Sequence, residues 1–147
     1  LLKDRLGDLS GLDAVVIGAG IAAKPAAGGR PVVLACPPGE QHDIGLVALH
    51  LLLADAGVPV LYLGADVPAG DLAEAVRQSD AVAVCLSIAS AGGAASCRRA
   101  IRAVGRIPAS RIFVGGPGLA HVPQALNATE LPAPIGEAAA AVARAVS

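Results

Sequence analysis

The sequence predicts an α/β fold, a five-stranded parallel sheet of flavodoxin-like or Rossmann-like type with helices on both faces. Two observations support this. Five short apolar segments alternate along the chain with stretches of helical pattern, and each apolar segment is continuous instead of alternating with polar residues. Continuous apolar strands are typical of a parallel sheet that is buried on both faces. For five strands we expect the doubly wound order 2-1-3-4-5.

The regular elements begin after residue 30. Residues 31–36, PVVLAC, are β-branched or apolar and lie between Gly-Arg and Pro-Pro, which predicts a fully buried first strand. Further strands are predicted at 58–63, 80–87, 111–116 and 128–131, and helices at 43–55, 71–78, 94–104, 119–126 and 135–146. Ligands of such sheets bind beyond the carboxyl ends of the strands, between strands 1 and 3.

Residues 1–30 differ from this pattern. The chain begins with Leu1 and not with methionine, so we expect a fragment of a longer protein. LLKDRLGDLSGL is predicted as the end of a helix, DAVVIGAG as a short strand, and KPAAGGRP as a linker because of its proline and glycine content. We therefore predict an N-terminal extension, or remnant of a preceding helical module, over 1–28 and a binding domain over 29–147.

Composition argues against several classes of function. The net charge is −1, and there is one Phe, one Tyr and no Trp, which predicts no direct contact with nucleic acid. The longest apolar run ends at Asp55 and is too short to span a bilayer. Three cysteines without a C-x-x-C spacing indicate a reducing compartment, so we predict a cytoplasmic protein.

Chemically useful residues occur in three loops that follow strands. His42 lies after the first strand in GEQHDIG, Ser87 ends the third strand, and a Gly-Gly pair ends the fourth. A neutral imidazole is the commonest side-chain metal ligand, and its second ring N–H is usually donated to a carboxylate. Glu40 is the preferred acceptor and Asp43 the less favoured one. Gly45 lacks a side chain where a flat ligand would approach the backbone.

Taken together, these residues resemble the pattern of the cobalamin-binding domains, D-x-H-x-x-G, S-x-L and G-G. The corresponding residues of this chain are Glu40-x-His42-x-x-Gly45, Ser87-Ile88-Ala89 and Gly115-Gly116. The pattern occurs in corrinoid methyltransferase proteins, some mutases and B12-dependent transcriptional regulators. The stretch CPPGEQHDIGLVALHLLLADAGVPVLYLGADVP is most similar to the light- and B12-responsive MerR-like regulators, and the resemblance extends from about Gly29 to the C terminus.

The resemblance implies a role for each residue. His42 would replace the cofactor's own base as lower axial ligand of cobalt, and Ser87 would hydrogen-bond the buried dimethylbenzimidazole. The predicted cofactor-binding residues are Glu40, His42, Asp43, Ile44, Gly45, Ser87, Ala89, Gly115 and Gly116, with His42 as the metal ligand. Glu40 replaces the usual aspartate, which lengthens or re-angles its bond to His42. Ala89 replaces the usual Leu or Thr, which loosens the pocket.

The preferred hypothesis is a binding and sensing module, not an enzyme, since the sequence assembles no acid–base pair or nucleophile triad. It would bind adenosylcobalamin or methylcobalamin in a B12- or light-responsive transcriptional regulator. The alternatives are a corrinoid carrier for methyl transfer and a haem sensor with His42 as axial ligand. The predicted partners are a helical cap and a DNA-binding region of the same protein, with a homo-oligomer as a further option.

Two other features of the sequence bear on its fold and surface. Gly18-x-Gly20-x-x-Ala23 resembles the dinucleotide fingerprint, but Lys24-Pro25 disfavours the helix that this fingerprint requires. The predicted helix from Ile44 to Ala54 is apolar nearly all round, whereas a helix on a sheet needs one apolar stripe. We therefore expect its outer side to be covered by residues 1–30 or by a partner domain.

Overall fold

The computed structural model describes residues 14–18, 20–23, 29–122 and 126–147. The helix end predicted before residue 13 and the linker core at 24–28 lie outside the described residues, so the proposed boundary at residue 28 stays a prediction. The described part begins with an antiparallel hairpin of β1 (Ala14–Ile17) and β2 (Gly20–Ala23). The sequence predicted the first of these strands but not the second, and the hairpin replaces the helix of a dinucleotide fingerprint.

A parallel sheet of five strands follows. Its strands are β3 (Val32–Ala35), β4 (Val60–Gly64), β5 (Ala83–Ser87), β6 (Ile112–Gly115) and β7 (Thr129–Glu130). They are arranged in the order β4-β3-β5-β6-β7, which confirms the predicted 2-1-3-4-5 order. In register, Ala35 pairs with Leu86 and Ser87 pairs with Gly115, so three strand ends meet at one edge.

Helices cover both faces of the sheet, as predicted. They are α1 (Ile44–Asp55), α2 (Ala69–Ser79), α3 (Ala91–Ala103) and α4 (Ile135–Val146). One core cluster joins α1 and α4 to the side chains of Val32, Leu34 and Cys85, whereas Val33 and Val84 belong to the cluster with α2 and α3. Successive strand residues point to opposite faces, so a strand covered on both sides must be apolar throughout.

The helix predicted at 119–126 is wrong over its described part. A short 3-10 turn covers Pro117–His121, and Val122 is extended with φ −81 and ψ 115. Pro123 follows Val122, and a residue before proline is disfavoured in the helical region. The turn is also tied to the sheet, because the Gly118 N–H donates to the Ile88 carbonyl oxygen over 2.8 Å.

The outer side of α1 exposes apolar side chains. Ile44 is 84% exposed and Leu51 is 65% exposed, and Val47 and Leu52 are exposed as well. The β1–β2 hairpin contacts α2 and β4. The expectation that residues 1–30 or a partner domain cover the outer side of α1 therefore stays a prediction. Among the described helices, none is both long and apolar enough to cross a membrane.

Candidate functional site

A buried carboxylate connects two loops at the carboxyl edge of the sheet. The Glu40 side chain is fully buried. Its Oε1 accepts hydrogen bonds from the Ala89 N–H at 2.6 Å, the Ser90 N–H at 2.8 Å and the Ser90 hydroxyl at 3.1 Å. Its Oε2 accepts from the His42 backbone N–H at 3.2 Å and lies 3.0 Å from the His42 ring Nδ1. The loop after β3 is thereby fixed to the loop after β5.

These hydrogen bonds keep Glu40 ionised. Burial by itself raises the pKa of this carboxyl, but the hydrogen bonds from His42, Ala89 and Ser90 outweigh burial and lower its pKa to about 2. An ionised carboxylate only accepts hydrogen bonds, so Nδ1 of His42 carries the donated proton. In the neutral ring, Nε2 is then left with a free lone pair. The His42 side chain is 72% exposed, so this ring is accessible from solvent.

A close approach of α3 completes the cradle around Glu40. A Cβ on Gly93 would lie 2.5 Å from Glu40 Oε1, so only glycine leaves room for the carboxylate. Ser90 caps α3 by accepting a hydrogen bond from the Gly93 N–H at 3.4 Å. Helix N-termini favour negative charge. Ser90 and Gly93 were not identified as site residues from the sequence. The available signal was a serine in the N-cap position of a helix, followed three residues later by a glycine.

Asp43 has a different partner. Its Oδ2 accepts a hydrogen bond from the Tyr62 hydroxyl at 2.9 Å, so of the two acids considered it is Glu40 that orients the His42 ring. Tyr62 in turn stacks on His50 of α1 with ring centroids 5.2 Å apart. On the far side of the loop, Asp66 Oδ1 accepts from the Gly39 N–H at 2.8 Å. Residues 39–43 are thus held from both β4 and β5.

A cleft of about 340 Å³ opens beside this loop. Among the predicted residues, Ile44, Gly45, Ser87, Gly115 and Gly116 line it. Among the described residues that line the cleft, Ser87 is the one with a hydroxyl group. A Cβ on Gly45 would lie 3.9 Å from Ser87 Oγ, so any longer side chain there would narrow the cleft.

The far wall of the cleft was missed from the sequence. It is formed by the segment after β7 and the start of α4, through Leu131, Pro132, Ala133, Ile135 and Ala138. The available signal was the proline-rich segment 131–135, which follows the last strand and so lies at the same edge of the sheet. The predicted residues Glu40, His42, Asp43 and Ala89 do not line the cleft; they belong to the two neighbouring loops, where Ala89 contributes its N–H to Glu40.

The two adjacent glycines have different roles. Gly115 borders the cleft opposite Leu131, whose Cβ lies 3.4 Å from the position of an added Cβ. Gly116 has φ +109, and a Cβ there would lie 2.3 Å from the Ile88 carbonyl oxygen. Gly115 therefore allows Leu131 to pack closely at the border of the cleft, whereas Gly116 allows the chain to cross the end of β5.

The described residues contain no ready-made metal site. No group of three or more His, Cys, Asp or Glu side chains among them is arranged to hold a metal ion. Burial, with a contribution from the Glu40 and Asp43 carboxylates, raises the pKa of Cys36 to about 12, and burial raises that of Cys97 to about 11. Thiols with such pKa values are poor ligands. The loop offers one accessible imidazole, which suits a metal that brings its other ligands in a macrocycle.

The fold and site define an α/β domain with a ligand cleft at the carboxyl edge of its sheet and an oriented histidine beside it. Residues 30–146 match the B12 binding domain family. The chain belongs to this family, which confirms the resemblance found in the sequence and makes the domain a cobalamin-binding module.

Two curated relatives are transcriptional repressors of Myxococcus xanthus. The HTH-type transcriptional repressor CarA is 38% identical over 101 residues, which cover 66% of this chain and 34% of CarA. The HTH-type transcriptional repressor CarH is 48% identical over 54 residues, which cover 37% of this chain and 18% of CarH. The chain thus spans about a third or less of the length of these relatives.

Two solved structures share the fold. A novel cobalamin-binding protein from Desulfitobacterium hafniense DCB-2 superposes with a TM-score of 0.70 at 24% identity, over 80% of this chain and 60% of that chain. The methanol:cobalamin methyltransferase complex MtaBC from Methanosarcina barkeri superposes with a TM-score of 0.59 at 22% identity, over 78% of this chain and 46% of that chain.

The cradle around Glu40 predicts different stabilities for two substitutions. We expect Glu40→Ala to lower the free energy of unfolding by about 2–4 kcal/mol, because it leaves a cavity and removes the acceptor of five hydrogen bonds. Glu40→Gln keeps an oxygen for Ala89 and Ser90 and should cost about 1 kcal/mol. Urea denaturation measures both, with Glu137→Ala on the exposed surface of α4 as the control. Equal losses for Glu40→Ala and Glu137→Ala would contradict the bridging role of Glu40.

Proposed function

We propose that this domain binds cobalamin with the His42 imidazole in the lower axial position of cobalt and with the nucleotide tail in the cleft beside Ser87. The observation that carries the proposal is the pairing of Glu40 with His42, since it leaves Nε2 free on an exposed ring. Adenosylcobalamin or methylcobalamin would supply a cobalt–carbon bond that light breaks. An accessible imidazole could ligate either cobalt or haem iron, and family membership favours the corrinoid.

The remaining site residues support the same arrangement. Glu40 orients the ring and sets its tautomer, and carboxylate partners of this kind raise the basicity of metal-bound histidines. The cleft has a volume typical of small-molecule sites and apolar walls that suit a flat aromatic base. Ser87 offers a hydroxyl to that base, while Gly45 keeps the cleft open and Gly115 borders it. Ala89 and Asp43 hold the loops instead of touching the tail.

We further propose that the domain is the sensory part of a B12- or light-responsive transcriptional regulator located in the cytoplasm. The support is its 38% identity to CarA over 101 residues, together with the 48% identity to CarH over 54 residues. In such a protein, a helical cap and a DNA-binding region would lie outside the described residues. The exposed apolar side of α1 suits contact with a cap.

Coordination by His42 can be tested with two variants and a control. We expect the purified protein to take up adenosylcobalamin with the absorbance of a histidine-ligated corrinoid, and His42→Ala to lose those bands. Glu40→Gln should also lose these bands while remaining folded. The oxygen of the new amide must accept the hydrogen bonds from Ala89 and Ser90, so the amide NH₂ faces His42 and donates to Nδ1. The ring proton then moves to Nε2, which can no longer ligate cobalt. His121→Ala, an exposed histidine on the 3-10 turn, is the control.

Unchanged spectra in both His42→Ala and Glu40→Gln would contradict ligation by His42. A protein that takes up haem but no corrinoid would support the haem alternative.

The regulatory role is tested in the longer protein. We expect its DNA affinity to change roughly 5–150-fold between the dark adenosylcobalamin-bound form and the illuminated form, the range of ordinary allosteric coupling. Fluorescence anisotropy with a duplex that carries the protein's selected binding site measures this change, and His42→Ala should remove it. If every ligand state binds DNA equally, and a methylcobalamin-loaded protein instead donates its methyl group to a partner enzyme, the domain is a corrinoid carrier.

A further inference from the structure

The charges of the chain are unevenly distributed. No aspartate or glutamate occurs between Asp80 and Glu130, and the same stretch contains five arginines, at 98, 99, 102, 106 and 111. The net charge of −1 therefore conceals a strongly basic segment that is balanced by acids elsewhere. Such an asymmetry creates a local positive potential, and local potential determines which partners are attracted.

The structure places four of these arginines on α3 and the turn after it. Arg99, Arg102 and Arg106 are exposed. Arg98 and Arg102 border a hollow of about 450 Å³ on the β6 side of α3, and none of the described residues that line it is acidic. We call the surface formed by Arg98, Arg99, Arg102 and Arg106 the arginine face.

The arginine face has no acidic partner within the described part of the chain. The arginine ion pairs found there are Arg30 with Asp80 and Arg77 with Glu74. Like charges four residues apart on one helix, as Arg98 and Arg102 are, repel each other, so an anionic partner would stabilise them.

We propose that the arginine face binds the phosphate backbone of double-stranded DNA. The inference rests on the proposed regulatory function, which brings this domain close to DNA. All four cations are arginines, whose planar fork matches phosphate in a bidentate manner. The aromatic-poor surface offers no platform for unstacked bases, which favours a duplex over single strands. The arginine face thus revises the prediction, made from the overall net charge and the scarcity of aromatic residues, that this fragment makes no nucleic-acid contact.

Contact with the backbone adds affinity without reading sequence. Phosphate contacts fix the register of a protein on a duplex, whereas base contacts specify the site. The arginine face would therefore strengthen and orient binding by the sequence-reading region, and it would do so in a salt-dependent manner. The alternative ligand of the arginine face is an acidic protein segment, and the following experiment distinguishes it from duplex DNA.

The test uses this chain, a fluorescent duplex of random sequence and a series of KCl concentrations. We expect weak binding at low salt, with log K falling linearly against log salt. Each lost phosphate contact should reduce the slope by about 0.9. The triple variant Arg99→Ala/Arg102→Ala/Arg106→Ala should therefore flatten the slope by roughly 2–3.

A matched variant controls for charge. Arg30→Ala/Arg77→Ala/Arg144→Ala removes the same number of positive charges from other parts of the surface, and it should leave the slope nearly unchanged. Equal slopes for the two triple variants, no binding at low salt, or capture of polyglutamate in place of the duplex would overturn the proposal. Corrinoid absorbance, recorded on the same samples, reports the cofactor site separately, so its failure is distinguishable from loss of DNA binding.

Discussion

The site depends on one buried negative charge. Glu40 lies in the loop after β3, yet its hydrogen bonds run to Ala89 and Ser90 beyond β5 and back to His42. Burying a carboxylate is costly unless hydrogen bonds compensate, and here several donors converge on it. The same contacts therefore hold two loops together, keep the carboxyl ionised and determine which nitrogen of the imidazole stays free.

The parallel sheet makes this convergence possible. Doubly wound connections bring the carboxyl ends of β3, β5 and β6 to one edge, and the reversal of winding between β3 and β5 leaves a gap between α1 and the segment after β7. Two glycines allow the loops to approach closely. Gly93 leaves room for the Glu40 carboxylate, and Gly116 leaves room for the carbonyl oxygen of Ile88. The oriented imidazole of His42 and the cleft are thus neighbours because the topology brings their loops to the same edge of the sheet.

Much of the fold was predictable from local pattern, since continuous apolar strands and the helical stretches between them depend on residues close in sequence. The strand order, the two-sided helix layer and the choice of Glu40 over Asp43 as partner of His42 agree with the structure. Contacts across the fold were not predictable. The Gly93 approach to Glu40 joins residues from separate loops, and the wall at 131–135 depends on a strand of two residues. At 119–122, where a helix was predicted, the proline that follows Val122 and the hydrogen bond of the turn to Ile88 outweighed the helical pattern.

The central claim, that a histidine nitrogen of this chain ligates cobalt, is tested most directly by electron paramagnetic resonance of the cob(II)alamin-loaded protein with ¹⁵N-labelled histidine. The unpaired electron of this cobalt state couples to the lower axial nitrogen. The account predicts that the triplet splitting from ¹⁴N becomes a doublet in the labelled protein and stays a triplet in labelled His42→Ala that retains the cofactor through its own base. A triplet in the labelled wild-type protein would show that the cofactor's own base remains on cobalt, and it would contradict the account.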